Sequence, residues 1–302
     1  MFTPSGRYRG RFAPSPTGPL HFGSLLAAVA SFLQARVRNG IWRVRIEDLD
    51  PPREAAGAAA DILRTLEAFG LHWDGEVRYQ GRRSPAYAAA VEKLTTAGRL
   101  FPCACSRREI ADRGIGGVDG PVYPGTCRNG LPPERSARAL RVHTDGAVVS
   151  FSDGIQGPMS LDLEREVGDF IVYRADGLYA YQLAVVVDDA ADGVTEVVRG
   201  ADLLFSTPRQ IHLQHLLGLP TPTYQHIPVA IDAAGCKLSK SAGAAALDRR
   251  RPGAALWRAL SFLGQRPAPE LHAAPPAELW SWALAHWRIE EVPPRRTRPA
   301  AG

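Results

Sequence analysis

Apolar and polar positions in the first hundred residues alternate between the pattern of strands and the spacing of helices. Residues 7–13 form a short strand candidate, and residues 41–46 (IWRVRI) alternate as a second strand. A helix is predicted over 21–38, and further helices over 53–69 and 84–98. The first helix shows apolar residues at helical spacing: Leu25, Leu26, Val29, Phe32 and Leu33. This order is typical of a parallel sheet covered by helices.

Two polar turns follow the first two predicted strands, over residues 14–23 and 47–50. In open parallel sheets, ligands bind beyond the carboxyl ends of the strands, where such turns lie. We therefore expect a binding site at this edge of the predicted sheet.

The regular pattern breaks between residues 101 and 165, where glycines, prolines and three cysteines mix with short β-like runs such as 147–152. We interpret this part as an insertion with its own small core. The α/β pattern then returns in four segments: 169–173, 181–187, a helix over 208–217 and a β-like run over 227–231.

These changes of pattern divide the chain into four parts. Residues 1–100 and 166–245 are predicted to be two halves of one α/β domain, 101–165 an insertion, and 246–302 a short helical region. The last part contains tryptophans whose spacing predicts a small core, with a base-stacking platform as the alternative: Trp257, Trp280, Trp282 and Trp287.

Composition favours a soluble chain that meets a polyanion. Of 302 residues, 45% are apolar, and no run approaches the roughly 18–20 apolar residues of a membrane span. Residues 1–10 lack the apolar core of a secretory signal, so we expect a cytoplasmic protein. The formal charge of +5 and pI near 9.2 favour a polyanionic partner. Part of this charge lies in a tail whose composition predicts disorder: Arg295, Arg296 and Arg298 stand among prolines and alanines.

The chain holds only three lysines beside 33 arginines, and two of the three, Lys237 and Lys240, lie in one segment, KLSKS. A lysine ammonium is a compact point charge that can follow a phosphate through a reaction, whereas the arginine fork demands a fixed geometry. The segment therefore predicts a phosphate-binding loop. A solvated charged loop is the alternative.

A second candidate phosphate site, HFGS at 21–24, opens the first predicted helix. Gly23 would let a ligand approach the backbone, and the helix N-terminus presents free N–H groups to an anion. Taken alone, His21 could simply cap the helix. Together with the lysine segment, this turn is expected to hold a triphosphate and to stabilise charge developing on its α-phosphate.

Three of the four cysteines, Cys103, Cys105 and Cys127, lie within 25 residues of one another. An odd cluster points to a metal before it points to disulfides. Three thiolates suit zinc, which takes four tetrahedral ligands, and the fourth could be His143, Tyr123 or a water. We expect a structural metal that holds a loop too poor in apolar surface to fold alone. Three buried thiols without a metal are the alternative.

Six segments of the chain resemble the motifs of class I glutamyl-tRNA synthetases, over roughly residues 7–265. They are RFAPSPTG at 11–18, HFGS at 21–24, RIED at 45–48, YQLAVVVDD at 181–189, RGADL at 199–203 and KLSKS at 237–241. Only about 60 residues follow the last motif, too few for the anticodon-binding region of those enzymes. With the cysteine cluster, this is similar to the glutamyl-queuosine tRNA(Asp) synthetase family. The resemblance implies a class I synthetase Rossmann-type parallel sheet with a zinc-bearing insertion.

The resemblance also implies an enzyme that activates glutamate with ATP, independent of tRNA, and transfers it to queuosine at the wobble position of tRNA(Asp). It assigns glutamate binding to Arg11, Phe12, Ala13, Pro14, Ser15, Glu47, Tyr181 and Arg199. It assigns ATP binding to His21, Gly23 and Lys240, and catalysis to these three with Lys237. Mg²⁺ would accompany ATP, and zinc would take Tyr123 as the fourth ligand beside Cys103, Cys105 and Cys127.

Elementary chemistry supports part of the glutamate assignment. Glutamate carries one ammonium and two carboxylates, so its site needs an acid and more than one donor. Glu47 can pair with the ammonium, while Arg11 and Arg199 can form forked bonds to carboxylates. Tyr181 can add a hydroxyl.

Structural alternatives and rival functions remain open. Arg199 could pair with Glu196 or Asp202, and Glu47 could share a helix-capping role with the acids that follow it. The rival functions are a truncated enzyme charging tRNA(Glu), an adenylyltransferase for another small acid, and a non-enzymatic tRNA-binding module. The intact histidine, glycine and lysine positions argue against the last. We expect a monomer.

Overall fold

The computed structural model describes residues 6–238 and 245–300. The helices within these ranges are α1 (Phe22–Val37), α2 (Ala58–Ala68), α3 (Ser84–Thr96), α4 (Arg107–Arg113), α5 (Leu163–Glu166), α6 (Tyr181–Asp192), α7 (Thr207–Leu217), α8 (Pro252–Phe262) and α9 (Pro276–His286). The strands are β1 (Arg9–Phe12), β2 (Ile41–Ile46), β3 (Arg78–Tyr79), β4 (Leu100–Cys103), β5 (Gly116–Gly117), β6 (Gly120–Pro121), β7 (Ala139–Val142), β8 (Val148–Asp153), β9 (Gly157–Asp162), β10 (Phe170–Tyr173), β11 (Glu196–Gly200), β12 (Thr223–Ile227), β13 (Val229–Ile231) and β14 (Thr297–Pro299).

The first three strands form a parallel sheet in the order β1-β2-β3. Gly10 of β1 lies opposite Trp42 of β2, and Ile46 at the end of β2 lies opposite Tyr79. The helix α1 connects the first two strands and packs on them, and side chains such as Leu33 are fully buried between the layers. The structure thus confirms a parallel sheet covered by helices.

The second half of the chain adds the parallel pair β11 and β12. A hydrogen bond of 2.9 Å from Thr195 N to Arg9 O places the start of β11 beside β1. Residues 181–187 belong to the helix α6, which precedes β11. The apolar pattern did not predict β11, because Glu196 and Arg199 interrupt it, although both side chains are buried. The run predicted over 227–231 is divided between β12 and β13.

The predicted insertion is less separate than expected. Its hairpin β8-β9 joins the β11-β12 sheet through the pair Tyr224 and Asp153, and β7 lies between β4 and β10 in an antiparallel sheet. The expected small core is found only around the cysteines. That core contains Phe101, Cys103, Ala104, Tyr123 and Cys127.

The C-terminal helices α8 and α9 pack against α1. Trp280 and Trp287 are buried, and their indole N–H groups donate to Phe69 O at 2.8 Å and to Gln34 Oε1 at 2.9 Å. Trp257 and Trp282 are half-buried against the same core. These tryptophans are therefore core residues, as the spacing predicted.

The basic tail is ordered where the composition predicted disorder. β14 pairs in parallel with β13, Ala300 N donates to Ile231 O at 2.9 Å, and Arg298 donates to Phe262 O. The prediction was wrong because backbone pairing and two arginine–aromatic contacts, of Arg298 with Phe262 and Arg296 with Phe205, stabilise this segment. Among the described helices, none combines the length and apolar character needed to cross a membrane.

Candidate active site

Four side chains assigned from the sequence meet where β1, β2 and β11 end beside the first turn of α6. Arg11 lies in β1, Glu47 directly follows β2, Tyr181 is the first residue of α6, and Arg199 lies in β11. The charges of Arg199, Glu47 and Arg11 all act on the Tyr181 phenol, whose pKa is raised mainly by burial. The structure therefore brings together two cations, a carboxylate and a hydroxyl from four different elements.

Glu47 is the least satisfied charge of this group. Its side chain is only 10% exposed, Arg45 Nη2 lies 3.6 Å from Oε1, and Oε1 accepts no hydrogen bond from the described residues. Burial raises the pKa of Glu47 to about 7, against the opposing influence of Arg45 and Arg11. Such a carboxylate is suited to receive a cation from a ligand.

The helix-capping alternative for Glu47 is not supported. Asp48 accepts from Gly81 N at 2.8 Å, and Asp50 pairs with Arg53 and Arg174. Each neighbouring acid thus has its own partner, and the side chain of Glu47 is directed to the arginines.

The acid that orients the arginines is Asp189 of α6, which lies in the motif YQLAVVVDD but was given no role from the sequence. Its Oδ1 lies 3.2 Å from Arg11 Nε and 2.7 Å from Arg45 Nη2. Burial alone would raise the pKa of Asp189, but the two guanidinium groups outweigh burial and hold it below its ordinary value. The available signal was an acidic pair, Asp188 and Asp189, within an otherwise apolar helix. Buried carboxylates in such a position require buried cations.

Arg199 makes no salt bridge to Glu196 or Asp202. Its Nε donates to His226 Nε2 at 3.0 Å. Its terminal nitrogens donate to Thr207 Oγ1 at 2.8 Å, to Leu203 O at 3.4 Å and to Tyr181 Oη at 3.4 Å. The salt-bridge alternative is therefore wrong: neutral acceptors hold this guanidinium, and its charge is left for a ligand.

The remaining residues of the first motif have different surroundings. Phe12 is buried and stacks on Trp42, so its side chain belongs to the core. Pro14 O accepts from Glu47 N at 3.0 Å, which links the first motif to the turn after β2. Ala13 is half-buried and Ser15 is exposed.

The HFGS turn lies beside Leu238 of the lysine segment and beside Ala246, which follows that segment. His21 caps α1, its Nδ1 accepting from Gly23 N at 3.1 Å. A Cβ placed on Gly23 would lie 3.3 Å from Leu238 O, and His21 forms an antiparallel bridge with Ala246. The two segments are thus neighbours in space.

Only part of the lysine segment can be described. Lys237 Nζ lies 2.6 Å from Asp202 Oδ2 and its side chain is 47% exposed. Lys240 lies outside the described residues. A cavity of about 540 Å³ adjoins the same edge of the sheet, with Pro16, Asp48 and Tyr79 in its lining.

The cysteine cluster is compact and includes Tyr123. The Sγ atoms of Cys103, Cys105 and Cys127 all lie within 4.8 Å of one another. Tyr123 Oη is 3.6 Å from Cys103 Sγ and 3.9 Å from Cys105 Sγ, and it accepts from Cys127 N at 2.8 Å. Of the two protein candidates for a fourth ligand, Tyr123 is the one that lies among the thiols.

His143 belongs to another group, with Asp145 and Asp169. Arg141, which was not predicted from the sequence, also belongs to the cluster: its Nε donates to Cys103 Sγ at 3.2 Å and its guanidinium lies 4.0 Å from the centre of the Tyr123 ring. This cation favours the anionic form of Cys103. Burial acts to raise the pKa of Cys103, but the hydrogen bonds that Cys103 makes with Arg141 and Tyr123 outweigh burial and lower the pKa.

Comparison with known proteins identifies the family of this chain. Residues 7–251 match the family model for the catalytic domain of class I tRNA synthetases for E and Q. The chain is 59% identical over 295 residues to the glutamyl-Q tRNA(Asp) synthetase of Aromatoleum aromaticum, covering 98% of this chain and 93% of that protein. The glutamyl-Q tRNA(Asp) synthetases of Thiobacillus denitrificans (94% of each chain) and Dechloromonas aromatica (95% of this chain, 96% of the other) are each 58% identical. The chain belongs to the glutamyl-Q tRNA(Asp) synthetase family.

Solved structures support the fold. A glutamate tRNA ligase from Elizabethkingia meningosepticum, crystallised with its amino acid, superimposes with a TM-score of 0.80 at 23% identity, covering 98% of this chain and 67% of that one. A glutamate-tRNA synthetase from Elizabethkingia anophelis gives 0.79 at the same identity, covering 96% and 67%. Members of the glutamyl-Q tRNA(Asp) synthetase family are synthetase-like ligases, and this chain shares their class I fold.

Proposed function

We propose that this chain activates glutamate with ATP, without tRNA, and transfers the glutamyl group to queuosine at the wobble position of tRNA(Asp). The names of its relatives and the class I fold support the reaction class. The observation that carries the choice of amino acid is the Glu47 carboxylate, whose buried Oε1 accepts no hydrogen bond from the described residues and which lies beside cations.

In this proposal the ammonium of glutamate pairs with Glu47, and its two carboxylates meet Arg11 and Arg199. The ligand supplies one positive and two negative charges, so it complements one acid and two arginines. Asp189 engages Arg11 through Nε, which leaves the terminal nitrogens of that guanidinium for the ligand. The Tyr181 hydroxyl donates or accepts a hydrogen bond at the centre of the site.

Activation requires no covalent intermediate with the protein. A carboxylate oxygen of glutamate attacks the α-phosphorus of ATP, and the bond to the bridging oxygen of pyrophosphate breaks. The chain contributes positioning and stabilisation of developing charge. We assign this role to the HFGS turn with His21 and Gly23, to Lys237 and to Lys240. Mg²⁺ would be held mainly by the ATP phosphates.

We further propose that Cys103, Cys105, Tyr123 and Cys127 hold one structural zinc ion. Tetrahedral zinc with Zn–S bonds of about 2.3 Å separates its sulfurs by about 3.8 Å. Cys105 Sγ and Cys127 Sγ are 3.7 Å apart, so the donor set fits the ion. The zinc ion would cross-link a loop that has little apolar core of its own.

Transfer of labelled glutamate to tRNA tests the proposal. We expect labelling of tRNA(Asp) that carries queuosine, and none of tRNA(Asp) lacking it or of tRNA(Glu). Since these substrates are cytoplasmic, we place the enzyme there, acting as a monomer. Labelling of tRNA(Glu) instead would identify a shortened glutamyl-tRNA synthetase.

Pyrophosphate exchange over a panel of amino acids separates activation from transfer. Glutamate should give the fastest exchange in the absence of tRNA. If another amino acid gave the fastest exchange, the assignment of the amino-acid site would be contradicted. If no amino acid supported exchange, a non-enzymatic tRNA-binding module would be favoured.

A further inference from the structure

A row of three buried polar residues crosses three neighbouring strands next to the amino-acid site. Arg199 of β11 lies opposite His226 of β12, and β12 pairs with the end of β8 at Asp153. Their exposed fractions are 4%, 0% and 2%. Neither His226 nor Asp153 has a role in the reaction described above, so their burial in one connected row calls for an explanation.

The contacts determine which nitrogen of His226 carries the proton. Arg199 Nε can only donate, so His226 Nε2, 3.0 Å away, must accept and is unprotonated. The proton is therefore on Nδ1, which donates to Asp153 Oδ2 at 2.6 Å. Burial lowers the pKa of His226 to about 4 despite Asp153, so the ring is neutral at physiological pH.

Asp153 is itself held in one orientation. Its Oδ1 accepts three backbone N–H groups, from Ile155 at 3.0 Å, Gln156 at 2.9 Å and His226 at 3.1 Å. Its Oδ2 is left for the imidazole. These bonds set the orientation of the carboxylate. The carboxylate in turn selects the tautomer of His226, and the ring of that tautomer sets the plane of the Arg199 guanidinium.

The other donors of Arg199 are nearly all used as well. Thr207, Leu203 and Tyr181 accept from its terminal nitrogens, so one N–H on Nη1 has no acceptor among the residues described. This remaining donor is on the nitrogen that faces Tyr181, at the centre of the amino-acid site. The orientation set by His226 therefore decides where the free donor is directed.

We propose that Asp153 and His226 are positioning residues that orient Arg199 toward a carboxylate of the amino-acid substrate. The inference rests on the proposed function, because it takes Arg199 as a ligand of glutamate. Neither residue touches the substrate; Asp153 selects the tautomer that makes His226 an acceptor, and His226 holds the guanidinium without neutralising its charge.

The variant Asp153→Asn tests the tautomer step. The three backbone N–H groups would keep the amide oxygen at the Oδ1 position, so the amide NH₂ would face His226 Nδ1. The ring would then carry its proton on Nε2 and oppose the N–H of Arg199. We expect a roughly 10- to 100-fold rise in the KM for glutamate in pyrophosphate exchange, the range for a lost hydrogen bond to a charged group, with little change in the KM for ATP.

The variant His226→Gln provides the rescue. A glutamine amide can rotate to present its oxygen to Arg199 whatever group lies at position 153. We expect this variant to bind glutamate nearly as wild type, and Asp153→Asn to have little further effect in its background. ¹⁵N spectra of the histidine rings give an independent signal, since the protonated nitrogen of His226 should change from Nδ1 to Nε2 in Asp153→Asn.

Asp169→Asn is the matched control, because Asp169 is another buried carboxylate that accepts from Thr144 and Arg128. It should lower thermal stability without changing the KM for glutamate. Two results would overturn this inference and leave the proposed function standing. One is that Asp153→Asn raises the KM for glutamate equally with His226 and with Gln at position 226. The other is that Asp153→Asn leaves this KM unchanged while the wild-type protein activates glutamate. Wild-type protein that neither binds nor activates glutamate would overturn the proposed function and this inference together.

Discussion

At the scale of single residues, the site is organised by how buried charges are paired. Asp189 and Asp192 satisfy much of the charge of Arg45, whose side chain is 1% exposed. Glu47 remains without a hydrogen-bonded partner on Oε1. A buried carboxylate of this kind costs folding free energy, and a ligand cation can offset the cost. Binding of a cationic group beside Glu47 would therefore relieve an unfavourable interaction in the unliganded protein.

Glu47→Gln should separate the binding role from the folding cost. We expect the KM for glutamate to rise roughly 10- to 100-fold, since a charge-assisted hydrogen bond to the ammonium is lost. The folded protein should be as stable as wild type or more stable at pH 8. Calorimetric binding and urea unfolding measure the two effects.

The same carboxylate predicts a pH dependence of stability. The pKa of Glu47 is raised from its ordinary 4.5 to about 7, so the folded chain keeps a proton that the unfolded chain releases between these values. The free energy of unfolding should therefore fall by about 3 kcal/mol as pH rises from about 4.5 to 7. This fall should be absent in Glu47→Gln. A fall of equal size in the variant would assign the slope to other groups.

At the scale of elements, the segment around the cysteines depends on side chains other than apolar ones. Its core holds five buried residues, and three of these are Cys103, Cys127 and Tyr123. Short strands such as β5 and β6 contribute little apolar surface. The proposed zinc ion would cross-link this segment and so supply order that its small apolar core does not.

Cys105→Ser should remove bound zinc and lower the melting temperature. The matched control is Cys236→Ser, because Cys236 is exposed and distant in sequence from the cluster. Metal analysis should give one zinc per wild-type chain, one for the control and none for the cluster variant. Wild-type protein that is folded and free of metal would contradict the zinc assignment.

At the scale of the whole molecule, the tail connects the C-terminal region to the strand that leads into the lysine segment. β14 pairs with β13, and Leu238 N donates to Ala230 O at 2.9 Å, next to the HFGS turn. The C-terminal region therefore supports the ATP side of the site through backbone pairing. A purely solvated tail would have no such connection.

Deletion of residues 296–302 should weaken ATP use as well as stability. We expect a several-fold rise in the KM for ATP in pyrophosphate exchange, which needs no tRNA, because β13 would lose its partner strand. The substitution Arg295→Ala, which keeps β14, is the control. If deletion impaired only transfer to tRNA, the tail would act as a tRNA contact and not as a structural strand.

The sequence was most informative where local pattern and chemistry coincide. Apolar spacing identified α1 and β2, and the core role of Trp280 and Trp287. The motif residues Arg11, Glu47, Tyr181 and Arg199, which the structure brings together, were identified from the sequence because the family resemblance supplied their positions and their side chains complement the charges of glutamate. The spacing of apolar residues and the charges of side chains can both be read directly from the sequence.

Residues that act on other residues were not found from the chain alone. Four residues of this kind lie far in sequence from the groups they contact: Asp189, His226, Asp153 and Arg141. In the sequence, nothing local distinguishes them from other polar residues. Their roles follow from which strands lie side by side.

By itself, the sequence determined the parallel sheet at the start of the chain, the family and the residues proposed to bind the substrate, because these depend on spacing and side-chain chemistry. Only the tertiary structure decided which buried charges are paired, where the tail strand lies, and which acceptors hold Arg199. The physical reason is that pairing across strands depends on distances between residues separated by tens to hundreds of positions, and no local pattern encodes those distances.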